Sequence, residues 1–102
     1  MKLDHIALQV ENLKVSIEWY QTNLNANITY CDDTWAMLKI GELNLALTLP
    51  NEHPPHIAFT VNTPEEIPAK KIKTHRDGSL YTYIEDPSGN IIEYIAWPES
   101  SD

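Results

Sequence analysis

Cysteine, glycine, basic side chains and long apolar runs are what this 102-residue chain has least of: one Cys, three Gly, and seven Lys plus Arg. Cys31 has no second cysteine to pair with, which excludes a disulfide-framed secreted scaffold. No apolar stretch approaches the roughly 20 residues that span a bilayer, and Met1-Lys2-Leu3-Asp4-His5 has no signal-peptide core. These absences lead us to expect a reduced, cytoplasmic protein with no membrane partner. The seven basic residues face 15 acidic ones, for a formal net charge of −8, and Lys70, Lys71, Lys73 and Arg76 make the one basic cluster. Polyanions bind through clustered cations that release counterions, so the balance argues against nucleic acid. The acid excess serves solubility, or it lines a cleft for a cation or a metal.

What is present is periodicity. A chain of this length suits one compact domain that buries roughly 60–70% of its unfolded surface. Leu3–Val10 alternates with period two, Ile6, Leu8 and Val10 on one face and His5, Ala7 and Gln9 on the other. Asn12 offers an N-cap to a helix over 13–23 in which Leu13, Ile17, Tyr20 and Leu24 recur at helical spacing. Strands over 27–31 and 34–40 follow, joined through Asp32-Asp33, and Gly41-Glu42 turns into Leu43–Leu49. In the strand over 34–40, Trp35 and Met37 alternate with Ala36 and Leu38, so one pair faces the core.

The same order then recurs. His56-Ile57-Ala58-Phe59-Thr60-Val61 repeats the pattern of His5-Ile6-Ala7-Leu8-Gln9-Val10 at a separation of 51 positions. Thr63-Pro64-Glu65-Glu66 is a capping-box start with proline at the first helical position, and Pro68 holds that second helix to one or two turns. A short strand near Lys71–His75, a turn at Asp77-Gly78, and a hairpin of Leu80–Glu85 with Ile91–Trp97 across Asp86–Asn90 complete the second half. The chain therefore divides into module one (1–50), module two (51–98) and a polar tail (99–102), expected to pack as one domain.

Four histidines are present. His53 lies in a polar, proline-marked connection, whereas His5 and His56 occupy equivalent places in the two repeats. Each opens a strand and belongs to the face opposite Ile6 or Ile57, the face away from the helices. Glu93 lies in the otherwise apolar Ile91-Ile92-Glu93-Tyr94-Ile95, where an unpaired carboxylate costs several kcal/mol. A divalent cation would compensate it and use the lone pairs of both imidazoles, leaving coordination positions open. An ion pair with Lys39 or Lys73, or a water-facing edge position, would compensate Glu93 as well.

The repeated strand openings Asp4-His5-Ile6-Ala7-Leu8 and Pro55-His56-Ile57-Ala58-Phe59, together with Asp86-Pro87-Ser88-Gly89-Asn90-Ile91-Ile92-Glu93, resemble the vicinal oxygen chelate (VOC) superfamily. That superfamily holds glyoxalase I, extradiol dioxygenases, fosfomycin-resistance proteins, methylmalonyl-CoA epimerase and bleomycin-resistance proteins. The likeness runs from about residue 3 to residue 97. It implies an α+β fold of two βαβββ modules whose strands form a cupped, mixed eight-stranded sheet. It further implies a divalent metal (Fe, Mn, Ni, Co or Zn) on His5, His56 and Glu93, a small-molecule substrate with neighbouring oxygens, and a homodimer. Counting from Gly41 as from Gly89 puts Leu45 where glyoxalase I-like members carry a fourth ligand, which leucine cannot supply. The resemblance leads us to expect a lyase, isomerase or dioxygenase. Glu93, Tyr83 and His75 are its candidate catalytic groups, and Tyr81 is a further residue of the same hairpin. The alternative it leaves is a non-catalytic binding protein of the bleomycin-resistance type.

Overall fold

In a computed structural model the chain forms strands β1 (Lys2–Gln9), β2 (Asn27–Cys31), β3 (Trp35–Ile40), β4 (Leu43–Thr48), β5 (His56–Val61), β6 (Lys73–Thr74), β7 (Leu80–Glu85) and β8 (Ile91–Ala96). Helix α1 (Leu13–Leu24) follows β1, and a single 3₁₀ turn, Pro64–Glu66, follows β5. The structure describes residues 1–68, 72–75 and 78–97. The expected turn at Asp77, the cluster members Lys70, Lys71 and Arg76, and the polar tail lie outside the described residues. The strands make one mixed, open eight-stranded sheet in the order β2-β3-β4-β1-β5-β8-β7-β6. Two compact units compose the chain, one of His5–His56 and one of Met1–Asp4 with the described residues from Ile57 onward.

In the His5–His56 unit, β2, β3 and β4 form an antiparallel meander and β1 adds to β4 in parallel. Helix α1 starts where Asn12, in extended conformation, accepts the Val15 amide on its side chain at 3.1 Å. It ends at Asn25, which takes the left-handed conformation (φ 55°) that asparagine tolerates better than most residues. The core lies between helix and sheet. Leu13 and Ile17 of α1 pack with Ala26, Ala36, Leu38, Leu45 and Leu47, and Ile6, Val10, Tyr20, Ile40 and Leu49 close around them. Ala36 and Leu38 are thus the core-facing pair of β3, as the alternation requires.

Asp32 closes the β2–β3 turn. Its carboxylate accepts from the Tyr30 hydroxyl, from the Thr34 amide (2.8 Å) and hydroxyl (3.0 Å), and from the Trp35 amide (3.0 Å). The Tyr30 bond and then the two amides hold its pKa at about 2.

In the second unit β6, β7 and β8 are antiparallel. The β7–β8 hairpin is closed by Asp86, whose carboxylate accepts from the Ser88 and Asn90 amides (2.8 Å each) and the Asn90 side chain (2.8 Å). Gly89 supplies the left-handed turn residue (φ 86°). Val61, Ile67 and Ala96 form a small core with Leu80 and Tyr94 packed against it. Asp4 ties the ends of the unit, accepting from the Thr60 hydroxyl (2.9 Å) and the Trp97 indole N–H (3.2 Å).

The second helix takes the shorter of the lengths Pro68 allows: one 3₁₀ turn in which the Glu66 carboxylate accepts the Asn62 (2.7 Å) and Thr63 (3.3 Å) amides. Two residues read as core-facing correct the expectation, since Leu8 and Ile57 are both 39% exposed. The unit that carries Ile57 has a 3-residue turn where the other has a 12-residue helix, so less covers that sheet face. Tyr94 is half-buried against the small core, whereas Trp19 and Trp97 are exposed.

Candidate functional site

Strand alternation decides where each histidine points. Ile6 and Val10 pack on the helix-side core, so His5, Ala7 and Gln9 occupy the other face of β1. His56 opens β5 directly after Pro55 and is 7% exposed. Both belong to the His5–His56 unit, and their Nε2 atoms lie 3.2 Å apart with the rings edge-on, 77° between planes.

The chemistry of this pair is set one bond further out. His56 Nδ1 is 2.7 Å from the Pro54 carbonyl oxygen. A carbonyl only accepts, so Nδ1 carries the proton and donates. In the neutral ring Nε2 then keeps its lone pair and faces His5. A backbone carbonyl that fixes the tautomer in this way is the usual outer contact of a metal-binding imidazole. The spacing suits an ion too. At a metal–nitrogen distance of about 2.1 Å, two nitrogens are about 3.0 Å apart at a right angle and about 3.4 Å at the tetrahedral angle. The observed 3.2 Å falls between. The residues present therefore fit a divalent ion of the kind the fold implies.

Register moves the fourth position. Leu45 is 4% exposed and packs in the core under α1, on the side of the sheet away from His5. The parallel register Ile6↔Leu45 places Asn44 at the level of His5 and on its face, half-buried. The expectation that Leu45 occupies a ligand position is corrected on this point. Farther along the same face β4 presents Ala46 and Thr48, beside Ala7 and Gln9 of β1 and opposite Met37 and Trp35 of β3. Trp35 stacks with Tyr30 (centroids 4.6 Å, 28° between planes). Thr48 is 3% exposed, and its hydroxyl has no hydrogen-bond partner among the described residues. Neither Asn44 nor Thr48 was picked out by sequence. The signal was available, because both keep polar groups on the β4 face opposite three leucines.

In the second unit, Glu93 is 2% exposed on β8 and stands directly across from Tyr83 of β7. Directly opposed residues share a sheet face. Glu93 Oε2 lies 3.1 Å from His75 Nε2, a partner other than Lys39 or Lys73, the lysines offered as the alternative to a metal. The His75 ring stacks flat on Tyr81 (3.6 Å, 9°), and Tyr81 meets Tyr83 edge-on at 5.5 Å. Burial, then the Glu93 charge and Tyr81, push the Tyr83 phenol well above its ordinary range. Its hydroxyl therefore stays protonated at neutral pH and can donate but not act as base. His75, Tyr81, Tyr83 and Glu93 are thus brought together within one unit.

No protein-family model and no curated protein matches the chain. Solved structures do match in shape. A hypothetical protein of Bacillus halodurans superposes with TM-score 0.78 at 22% identity, covering 99% of this chain and 97% of its own. Methylmalonyl-CoA epimerase of Streptomyces coelicolor gives 0.73 at 17% identity, over 97% and 99%. A glyoxalase/bleomycin resistance protein/dioxygenase superfamily member from Vibrio splendidus gives 0.73 at 14%, over 93% and 99%. At these identities the likeness establishes architecture: the chain has the fold of the vicinal oxygen chelate superfamily.

Proposed function

We propose that this protein is a small metal-dependent enzyme in which His5, His56 and Glu93 hold one divalent ion. The observation that carries the reading is the His5–His56 pair, with Nε2 atoms 3.2 Å apart and the His56 tautomer set by the Pro54 carbonyl. The strand order supports it, since β1, β5 and β8, which carry the three residues, are successive in the sheet. So does the donor set: among the described residues, His5, His56 and Glu93 form a group of three metal-capable side chains that could hold an ion. Two imidazoles and one carboxylate suit Fe, Mn, Ni, Co or Zn and leave positions open.

A bound divalent ion would supply Lewis acidity and a template for two neighbouring substrate oxygens. The rest of the chemistry belongs to the chain. His5 and His56 present nitrogen lone pairs, and the buried Glu93 carboxylate lowers the charge of the site. Tyr83, kept protonated, would donate a hydrogen bond to a substrate oxygen that gains negative charge. The substrate is a small oxygen-bearing molecule, and the reaction a lyase, isomerase or dioxygenase step. The S. coelicolor neighbour is an epimerase solved with a CoA compound. A net charge of −8 argues against so phosphate-rich a substrate for this chain.

The second reading, a non-catalytic small-molecule binder, is favoured by the Tyr30–Trp35 stack on the face shared with His5, a platform for a planar ligand. Metal content decides between them. Purified protein reconstituted with Mn, Fe, Ni, Co or Zn is expected to hold one ion per chain after dialysis, and His56→Ala to lose at least about tenfold in affinity. If the parent retains none of these metals, the enzyme reading is wrong. If the alanine variant binds as tightly as the parent, the ligand assignment is wrong.

A further inference from the structure

The Glu93 carboxylate is anchored by a device that the ligand set alone does not require. Its Oε2 accepts from His75 Nε2–H at 3.1 Å, and the imidazole that donates is itself immobilised twice. Its ring lies flat on Tyr81, 3.6 Å between centroids and 9° between planes. Its backbone is held at both polar groups: the His75 amide donates to the Ser79 carbonyl (2.8 Å), and the His75 carbonyl accepts from the Gly78 amide (3.0 Å). Gly78 adopts φ 89°, a left-handed conformation that suits glycine, and so lets its amide reach the His75 carbonyl. Ser79 is fully buried. A histidine at the surface has many rotamers; this one is stacked, bonded through its backbone and pointed at a single carboxylate oxygen.

We propose that His75 is a positioning residue for the metal site, orienting Glu93 rather than touching substrate. The inference rests on the metal reading given above and reassigns the role expected of His75 from the chemistry to the support around it. A carboxylate has about four lone-pair sites on its two oxygens, so one accepted hydrogen bond leaves capacity for an ion. Fixing Oε2 removes the χ3 freedom of the glutamate and makes a buried carboxylate tolerable before the ion arrives. Tyr81 serves the same end at one remove, by holding the ring plane.

Cobalt(II) titration followed by visible absorption and calorimetry tests this, on the full chain and four variants, with thermal melting recorded for each. His75→Phe keeps the stack on Tyr81 and removes the donor; it is expected to weaken cobalt binding about 10–100-fold. His75→Gln restores an N–H donor and is expected to recover most of that loss. Tyr81→Leu leaves the donor and frees the ring, and is expected to give a smaller loss in the same direction. Rescue by glutamine separates positioning from a merely structural role, because a packing defect would follow the lost ring and not the lost donor. Should His75→Phe and Tyr81→Leu both bind cobalt as tightly as the parent, or should His75→Gln bind no better than His75→Phe, the inference is overturned while the site stands. A folded parent that binds no cobalt, or a Glu93→Gln variant that binds it undiminished, overturns the site itself and this inference with it.

Discussion

At the scale of single residues, the side chains that matter are those whose surroundings contradict their chemistry. Glu93 is a charge at 2% exposure, and His56 a ring at 7%. Both were marked by sequence alone, Glu93 as the one carboxylate in an apolar strand and His56 as the echo of His5. Leu45 shows the opposite case. Counting from the turn glycines made it the counterpart of Glu93, yet the two lie on opposite kinds of face. The pair closing the β3–β4 hairpin, Ile40–Leu43, faces the helix side, as does Leu38–Leu45; the pair closing β7–β8, Glu85–Ile91, shares the face of Tyr83–Glu93. One residue of offset in a strand reverses the face, and the two hairpin loops differ in length. Leu45→Ala is accordingly expected to destabilise the fold by about 2–5 kcal/mol in urea titration while leaving metal affinity per folded chain unchanged.

Asp32 supplies a pH prediction at the same scale. Its folded pKa of about 2 lies below the ordinary 3.8, so the carboxylate's contribution is fully present above about pH 4 and is lost as pH falls through about 2. Denaturant midpoints measured at pH 5 and pH 2.5 are expected to fall less for Asp32→Asn than for the parent. An equal fall in both proteins would mean that the Tyr30, Thr34 and Trp35 contacts carry no linkage.

At the scale of elements, local rules were nearly sufficient. The helix expected over 13–23 is observed as Leu13–Leu24, with Asn12 as its cap. Asn12→Ala removes the acceptor of the Val15 amide and is expected to cost about 1 kcal/mol by thermal or chemical unfolding. The strands at 27–31, 43–49 and 56–61 were read to within a residue, because alternation and turn residues bracket them closely. The second half was harder. Pro68 forbids a long helix, but only the packed chain shows that a single 3₁₀ turn forms there and that Ile67, just after it, packs with Val61 and Ala96. The exposure of Leu8 and Ile57 escaped the sequence for the same reason: a period-two pattern names a face and does not say how much of it a neighbouring element covers.

At the scale of the whole molecule, the fold is an eight-stranded mixed sheet with one α-helix among the described residues, and no helix there is long and apolar enough to cross a membrane. The proposed ligands come from β1, β5 and β8, so metal binding and folding should be coupled. With free metal at about 100 times its Kd, a ligand bound only by the folded state adds about 2.7 kcal/mol. For a chain of this size that raises the melting temperature by roughly 10–20 °C. Scanning calorimetry with and without a chelator is expected to show the difference in the parent and not in Glu93→Gln. A melting temperature indifferent to metal would separate the fold from the site.

By itself the sequence determined the order of the elements, most of the strand positions and the long helix, and it singled out the three residues proposed as ligands, because periodicity, caps and turn chemistry are local and repeat at known spacing. Only the tertiary structure decided which neighbour completes each site residue. Pro54 sets the tautomer of His56, His75 lies beside Glu93, Tyr83 stands across from that carboxylate, and Asn44 rather than Leu45 shares the face of His5. The Pro54 contact is local, two residues away, but the other three depend on strand register and on packing between residues well apart in the chain, and a pattern of period two leaves register undetermined by one residue.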